Sequence, residues 1–191
     1  MAGQLLDADK YWVKHSVKIE LTKEEKLEIS GESIPRPEID IIAMDVSLNT
    51  VYLFEIKSYL DSKGVDYEDV IKETTKQEGY YKLLTCKNYR NVLTKRLKKD
   101  WLAKGFINKA TKFSYGLIAG KVYKKREAEL GKYCKKKKWL FWGASIIKEK
   151  LNELSGKGYE NNAVTIAAKL ILRADVSKPD LLILIYTLLY Y

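Results

Sequence analysis

Two short segments, 38–46 and 51–57, constrain this chain more than any others, because both read as strands with apolar side chains on both faces. Ile39, Ile41 and Ala43 face one way in the first, and Tyr52, Phe54 and Ile56 share one face of the second. Ile42, Met44 and Leu53 occupy the opposite faces, so the sheet must be covered on both sides. The turn Ser47-Leu-Asn-Thr50 joins the two as a hairpin. An alternating segment, Tyr11–Leu21, precedes them, and residues 113–122 and 139–143 read as later strands. Thr22-Lys-Glu-Glu25 is a capping box opening a short helix, and Pro35 and Pro37 force an extended approach to the hairpin.

Helical spacing predicts a helix over 66–85, with Val70, Thr74, Gln77, Tyr81 and Leu84 on its inner stripe. A second, 88–104, puts Tyr89, Leu93, Leu97 and Trp101 inside and Lys95, Lys98 and Lys99 outside, with Gly105 ending it. Further helices are expected over 124–137, 145–154, 160–173 and 179–190. Strands first, then alternating helix and strand, indicate an α/β or α+β fold with a central mixed sheet flanked by helices. A length of 191 residues fits one domain, with a helical C-terminal region from about 145.

Charge breaks into the apolar hairpin at three positions. Asp40 sits between Ile39 and Ile41, and Glu55 and Lys57 flank Ile56. Glu55 and Lys57 share a face, and neighbouring strands lie about 4.8 Å apart, so the hairpin can set Asp40 beside Glu55. Glu-x-Lys alone is commonplace as an ion pair on a strand. Three ionisable groups gathered in apolar sequence are costly for a fold and suited to a site. Mg²⁺ favours hard oxygen ligands and is commonly held by one or two carboxylates plus phosphate oxygens. Asp40 and Glu55 supply the carboxylates, and the Ile56 carbonyl a further oxygen; Mn²⁺ is a substitute. Lys57 would orient the attacking water, stabilise the phosphodiester transition state and limit repulsion between the carboxylates. His15, the lone histidine, reads as structural.

The net charge of +10 is unevenly placed. Residues 1–57 carry seven Lys/Arg against eleven Asp/Glu, whereas residues 82–139 carry nineteen against three. A basic segment beside an acidic site suits a polyanion held by one surface and processed at another. The basic face of 88–104 and the segment 121–138, interleaved with Tyr89, Tyr123, Tyr133 and Trp139, are the expected contacts to that polyanion, although Trp101, Trp139 and Trp142 read as core. Cys86 and Cys134 form no metal or disulfide pattern, which with no signal peptide favours a cytoplasmic protein. The most apolar stretch, Leu181–Tyr191, is eleven residues long, too short for a membrane span of about 20. The apolar segment 160–190 is also a potential homodimer interface.

Glu38-Ile-Asp40-Ile-Ile followed by Val51-Tyr-Leu-Phe-Glu55-Ile-Lys57 resembles the PD-(D/E)XK nuclease superfamily, the restriction-endonuclease-like fold. The resemblance implies Mg²⁺ dependence and a DNA substrate, with Asp40, Glu55 and Lys57 as the motif's Asp, second acid and Lys. Gln77-Glu-Gly-Tyr-Tyr81 is similar to the Gln-x-x-x-Tyr motif of RecB-type nucleases, whose Gln faces the site. Pro37 lies three residues before Asp40 rather than directly before it. A further N-terminal acid of the family has four stand-ins here: Asp7, Asp9, Glu20 and Glu38. The expected activity is a DNA endonuclease of restriction, repair or junction-resolving type. The alternative is a non-catalytic DNA-binding or assembly protein that keeps the fold.

Overall fold

The hairpin forms as its alternation requires, and the rest of the sheet is built outward from it. In the computed structural model, which describes residues 1–29, 35–74, 79–158 and 162–173, five strands form one mixed sheet. These are β1 (Trp12–Lys18), β2 (Glu38–Asp45), β3 (Thr50–Lys57), β4 (Lys112–Ala119) and β5 (Leu140–Trp142), in that spatial order. β1–β2 and β2–β3 are antiparallel, while β3–β4 and β4–β5 are parallel. The register pairs Ile41 with Phe54 and Ala43 with Tyr52, so those four side chains share a face. The hairpin turn is closed by Asp45, whose Oδ1 accepts from the Leu48 N–H (2.9 Å) and the Ser47 hydroxyl (2.7 Å). Asn49 takes the left-handed conformation there, with φ 46°.

Among the described residues eight α-helices and one 3₁₀ turn (Tyr123–Lys125) accompany the strands: α1 (Ala2–Ala8), α2 (Lys23–Ile29), α3 (Tyr67–Ile71), α4 (Lys82–Thr85), α5 (Lys87–Ala103), α6 (Glu127–Lys136), α7 (Ala144–Gly156) and α8 (Ala163–Arg173). The capping box is formed: the Thr22 N–H donates to Glu25 Oε2 (2.8 Å), and the Glu25 N–H to Thr22 Oγ1 (3.2 Å). Asn162 caps α8 through Oδ1, which accepts from the N–H groups of Val164 and Thr165. The chain divides into two compact units, residues 2–145, which hold the sheet, and residues 146–191 with Met1. The expected helix 179–190 and part of the potential dimer segment lie outside the described residues.

Two buried clusters cover the face that carries Ile42, Val51 and Leu53. One joins them to Tyr89, Val92, Leu93 and Leu97 of α5 and to Ile29 of α2. The other packs Leu117 and Ala119 of β4 against Val70 of α3, Leu84 of α4 and Leu130 and Cys134 of α6. Trp142 is buried, and Trp101 and Trp139 are half-buried, as core aromatics should be. Cys86 and Cys134 are both buried and form no disulfide. On the opposite face α1 lies against β1, with Gly3 under the His15 ring; any Cβ at Gly3 would overlap that ring. His15 thus has a packing role.

The single helix expected over 66–85 is not formed. Asp66 caps α3, but the chain turns extended at Lys72 (ψ 104°), and α4 starts only at Lys82. Between them Thr74 pairs as an isolated parallel bridge with Cys86, its N–H donating to the Thr85 carbonyl (3.0 Å). β-branched Thr74 and Gly79, at φ 82°, favour this irregular path over a helix. Val70, Tyr81 and Leu84 are nonetheless buried, so the apolar spacing reports burial correctly and continuity wrongly. Gln77 lies outside the described residues.

At Gly116 on β4, opposite Phe54 in the register, an added Cβ would overlap the Phe54 ring, which has no solvent exposure. Gly116→Ala is therefore expected to cost about 1–3 kcal/mol of stability by overpacking, measurable as a lowered midpoint of urea unfolding.

Candidate functional site

β2 and β3 part company at the very point where the charges lie. Continuing the register beyond Ile41–Phe54 would set Asp40 opposite Glu55, but the ladder stops there. In its place the Asp40 carboxylate spans the gap, with Oδ2 accepting from the Ile56 N–H at 2.7 Å. A strand residue's N–H and C=O share a side, so the Ile56 carbonyl faces this same edge. Across β2, Ser16 of β1 stands opposite Asp40 in the register with φ 48°, and that pair too is missing from the ladder. The sheet is locally opened around Asp40 on both sides.

Glu55 and Lys57 point to the helix-covered face, as their spacing requires, and form an ion pair with Glu55 Oε1 2.6 Å from Lys57 Nζ. Their side chains are only 16% and 20% exposed. Burial holds the Glu55 carboxyl above the usual carboxylate range; the Asp40 charge adds to this, while Lys57, by charge and hydrogen bond, and Lys82 oppose it. Burial alone would depress the Lys57 ammonium, but the Glu55 charge and hydrogen bond, with Asp40, outweigh it and leave Lys57 above its usual value. The protonated amine is thereby locked in place.

Asp40 and Glu55 open into a cleft of about 210 Å³ between the strand ends and the helices α4 and α5. Glu38, Lys82, Tyr89 and Tyr80 complete its polar lining. Tyr89 reaches it from α5; burial, then the charges of Glu55 and Asp40, push its phenol up to about 12, so it is a neutral donor there. Lys82 is presented by the first turn of α4. Arg90 fixes that short helix by donating to the carbonyls of Leu83 (3.3 Å) and Leu84 (2.8 Å), its guanidinium held against the rings of Tyr115 and Trp139.

The structure thus brings together Asp40, Glu55, Ile56 and Lys57. Among the four acidic stand-ins, Glu38 lines the cleft; Glu20 is engaged with Arg36 at 2.6 Å, and Asp7 and Asp9 do not reach it. Lys82, Tyr80 and Tyr89 had no role at the acidic site in the sequence reading. They arrive there from a different part of the chain, and only the place of Tyr89 on an inner stripe hinted at it. Tyr81, the Tyr of the Gln-x-x-x-Tyr match, is buried instead, its phenol raised by burial and bonded to Asp66 and Tyr59.

Two carboxylates, a backbone carbonyl on the same edge and open volume in front form a donor set of the kind Mg²⁺ accepts, since that ion keeps several of its waters. No set of three or more His, Cys, Asp and Glu side chains converges as a closed cage among the described residues. Zinc-type ligation is not what the donors resemble.

Lys95 and Lys99 on α5 and Lys124, Lys125, Lys132, Lys135, Lys136 and Lys138 are exposed. Tyr89, Tyr123, Tyr133 and Trp139 are buried or half-buried, so those aromatics are not a free stacking surface. Among the described residues the exposed aromatics are Trp12, Tyr80 and Phe106, at 75%, 76% and 59%. No helix among the described residues is long and apolar enough to cross a membrane. Comparison with protein-family models, with curated proteins and with solved structures finds no match to this chain.

Proposed function

We propose that the chain is a divalent-metal-dependent DNA endonuclease. The observation that carries this reading is the gathering of Asp40, Glu55 and Lys57 at one opened strand end, with both carboxylates lining a cleft and Lys57 paired to Glu55. A mixed sheet flanked by helices, the architecture implied by the likeness to PD-(D/E)XK nucleases, supports it. Asp40 and Glu55 would hold Mg²⁺ or Mn²⁺, with the Ile56 carbonyl as a third oxygen. A bound divalent ion supplies an acidified water and a counter-charge for the phosphate. Lys57, fixed by Glu55, presents a proton-bearing cation where negative charge develops on the phosphate. The lysine-rich segments provide a salt-sensitive hold on the DNA backbone.

Incubation with circular, linear, single-stranded and branched DNA, with Mg²⁺, Mn²⁺ or a chelator, tests the proposal. Nicking or cleavage that requires the metal is expected. Tight, salt-sensitive binding without cleavage of any substrate under any metal would replace this reading with that of a non-catalytic DNA-binding protein.

A further inference from the structure

The cleft has a second pole besides its carboxylates, formed by Tyr80 and Lys82. Tyr80 lines the cleft yet is 76% exposed, on a short irregular segment just after Gly79. An aromatic ring left this open beside a polar site has no core to fill. Two residues on, Lys82 also lines the cleft and acts electrostatically on Glu55. The fold therefore sets an open aromatic ring and an ammonium on the lining of the one cleft that holds the acidic site. These are the two groups that bind an unpaired nucleotide: a ring for the base and a cation for its phosphate.

The state of the arginines points the same way. Direct reading of duplex sequence relies most often on Arg bidentate to guanine. Of the five arginines in the chain, four are engaged within the sheet-bearing unit. Arg36 pairs with Glu20, and Arg96 with Glu25 and Asp100. Arg126 is held by Glu68 and Glu129 over the Tyr67 ring, and Arg90 by carbonyls and two rings. Apart from Arg36, which is exposed but paired with Glu20, the exposed cations of this unit among the described residues are lysines, compact point charges that hold phosphates without reading bases.

Resting on the nuclease reading above, we infer that the cleft takes DNA with an unpaired nucleotide next to the scissile phosphate, the base stacking on Tyr80 and its phosphate held by Lys82. The substrate class is single-stranded or branched DNA, recognised by exposed bases and backbone rather than by duplex sequence.

The test measures binding in chelator at low salt, by fluorescence anisotropy, so that it does not depend on cleavage. The probes are a labelled mixed-sequence single strand of about 15 nucleotides and the matching blunt duplex. The wild-type protein is expected to bind the single strand more tightly than the duplex. Tyr80→Ala should weaken single-strand binding about 5- to 150-fold and leave duplex binding within about twofold, while Tyr80→Trp keeps or improves it. Tyr80 is exposed, so its truncation opens no cavity in the core, and an unchanged thermal transition checks this. Equal loss on both probes, no loss on either, or a wild-type preference for the duplex overturns the inference but leaves the nuclease reading standing. Failure of the wild-type protein to bind either probe sinks both.

Discussion

Lys57→Ala is expected to abolish DNA cleavage, by a factor of about 10³ or more, while leaving a folded protein. The magnitude follows from what the amine does in the site. On the nuclease reading, its hydrogen bond to Glu55 and its half-buried position would fix it where charge develops on a transferring phosphate, so its loss would be felt in the transition state rather than in DNA binding. Binding measured in chelator should therefore change little. The substitution has a second signature, in stability. Removing one partner of a fully buried pair costs about 3–5 kcal/mol. Because both side chains here keep some solvent contact, about 1–3 kcal/mol is expected.

The pH dependence of that loss has a definite sign. Glu55 already titrates above its ordinary value, burial being the largest cause, and Lys57 is the chief group holding it down. Without Lys57 its pKa rises further. A carboxyl whose folded pKa is raised favours the fold fully below its unfolded value of about 4.3 and loses that contribution as pH climbs through the folded value. The variant should thus be nearly as stable as the wild type near pH 4 and show its full deficit at neutral pH. Urea denaturation at a series of pH values reads this directly. A deficit that is constant with pH would mean that Lys57 matters through packing of its stem and not through Glu55.

The hairpin and its register were legible in the sequence because alternation, a turn signal and two-sided apolarity all agreed on one arrangement. The pairing of Glu55 with Lys57 followed from their spacing alone. The Asp40–Ile56 hydrogen bond was not legible: it depends on β2 and β3 separating at their ends, which no side-chain pattern encodes. The break between α3 and α4 was hidden for a related reason. Val70, Tyr81 and Leu84 keep helical spacing and are all buried, yet the Thr74 bridge to Cys86 diverts the backbone between them. Periodicity records which residues face inward, and several backbone paths satisfy the same record. The cleft's remaining wall escaped the sequence because Lys82 and Tyr89 lie more than 25 residues from Glu55 and meet it only through the packing of α4 and α5. Exposure of Tyr80 and partial burial of Tyr133 were equally invisible, since an aromatic in a polar stretch looks the same in either state.

Asp40 carries two duties that can be separated by substitution. Its Oδ2 takes the Ile56 N–H at 2.7 Å, standing in for a ladder bond at the opened strand end, and its charge faces the cleft with that of Glu55. Asp40→Ala removes both. The Ile56 N–H loses a charge-assisted partner, at a cost of about 1–3 kcal/mol, and one carboxylate of the proposed metal site is gone. Asp40→Asn keeps a carbonyl-type oxygen for the N–H but not the charge. It is expected to recover most of the stability lost in Asp40→Ala, yet to cleave DNA at least about 10²-fold more slowly than the wild type, because a neutral amide is a poor ligand for a hard divalent cation. Denaturant midpoints separate the first effect, and calorimetric titration with Mn²⁺ together with cleavage rates measures the second. The contrast between the two variants tells a structural carboxylate from a working one. If Asp40→Asn bound Mn²⁺ and cut DNA like the wild type, Asp40 would be only a strand tie, and the divalent ion would have to be held elsewhere. If it instead keeps its fold, loses the ion and stops cutting, then the gap that Asp40 spans between β2 and β3 is the place where the sheet has traded a ladder bond for a metal ligand.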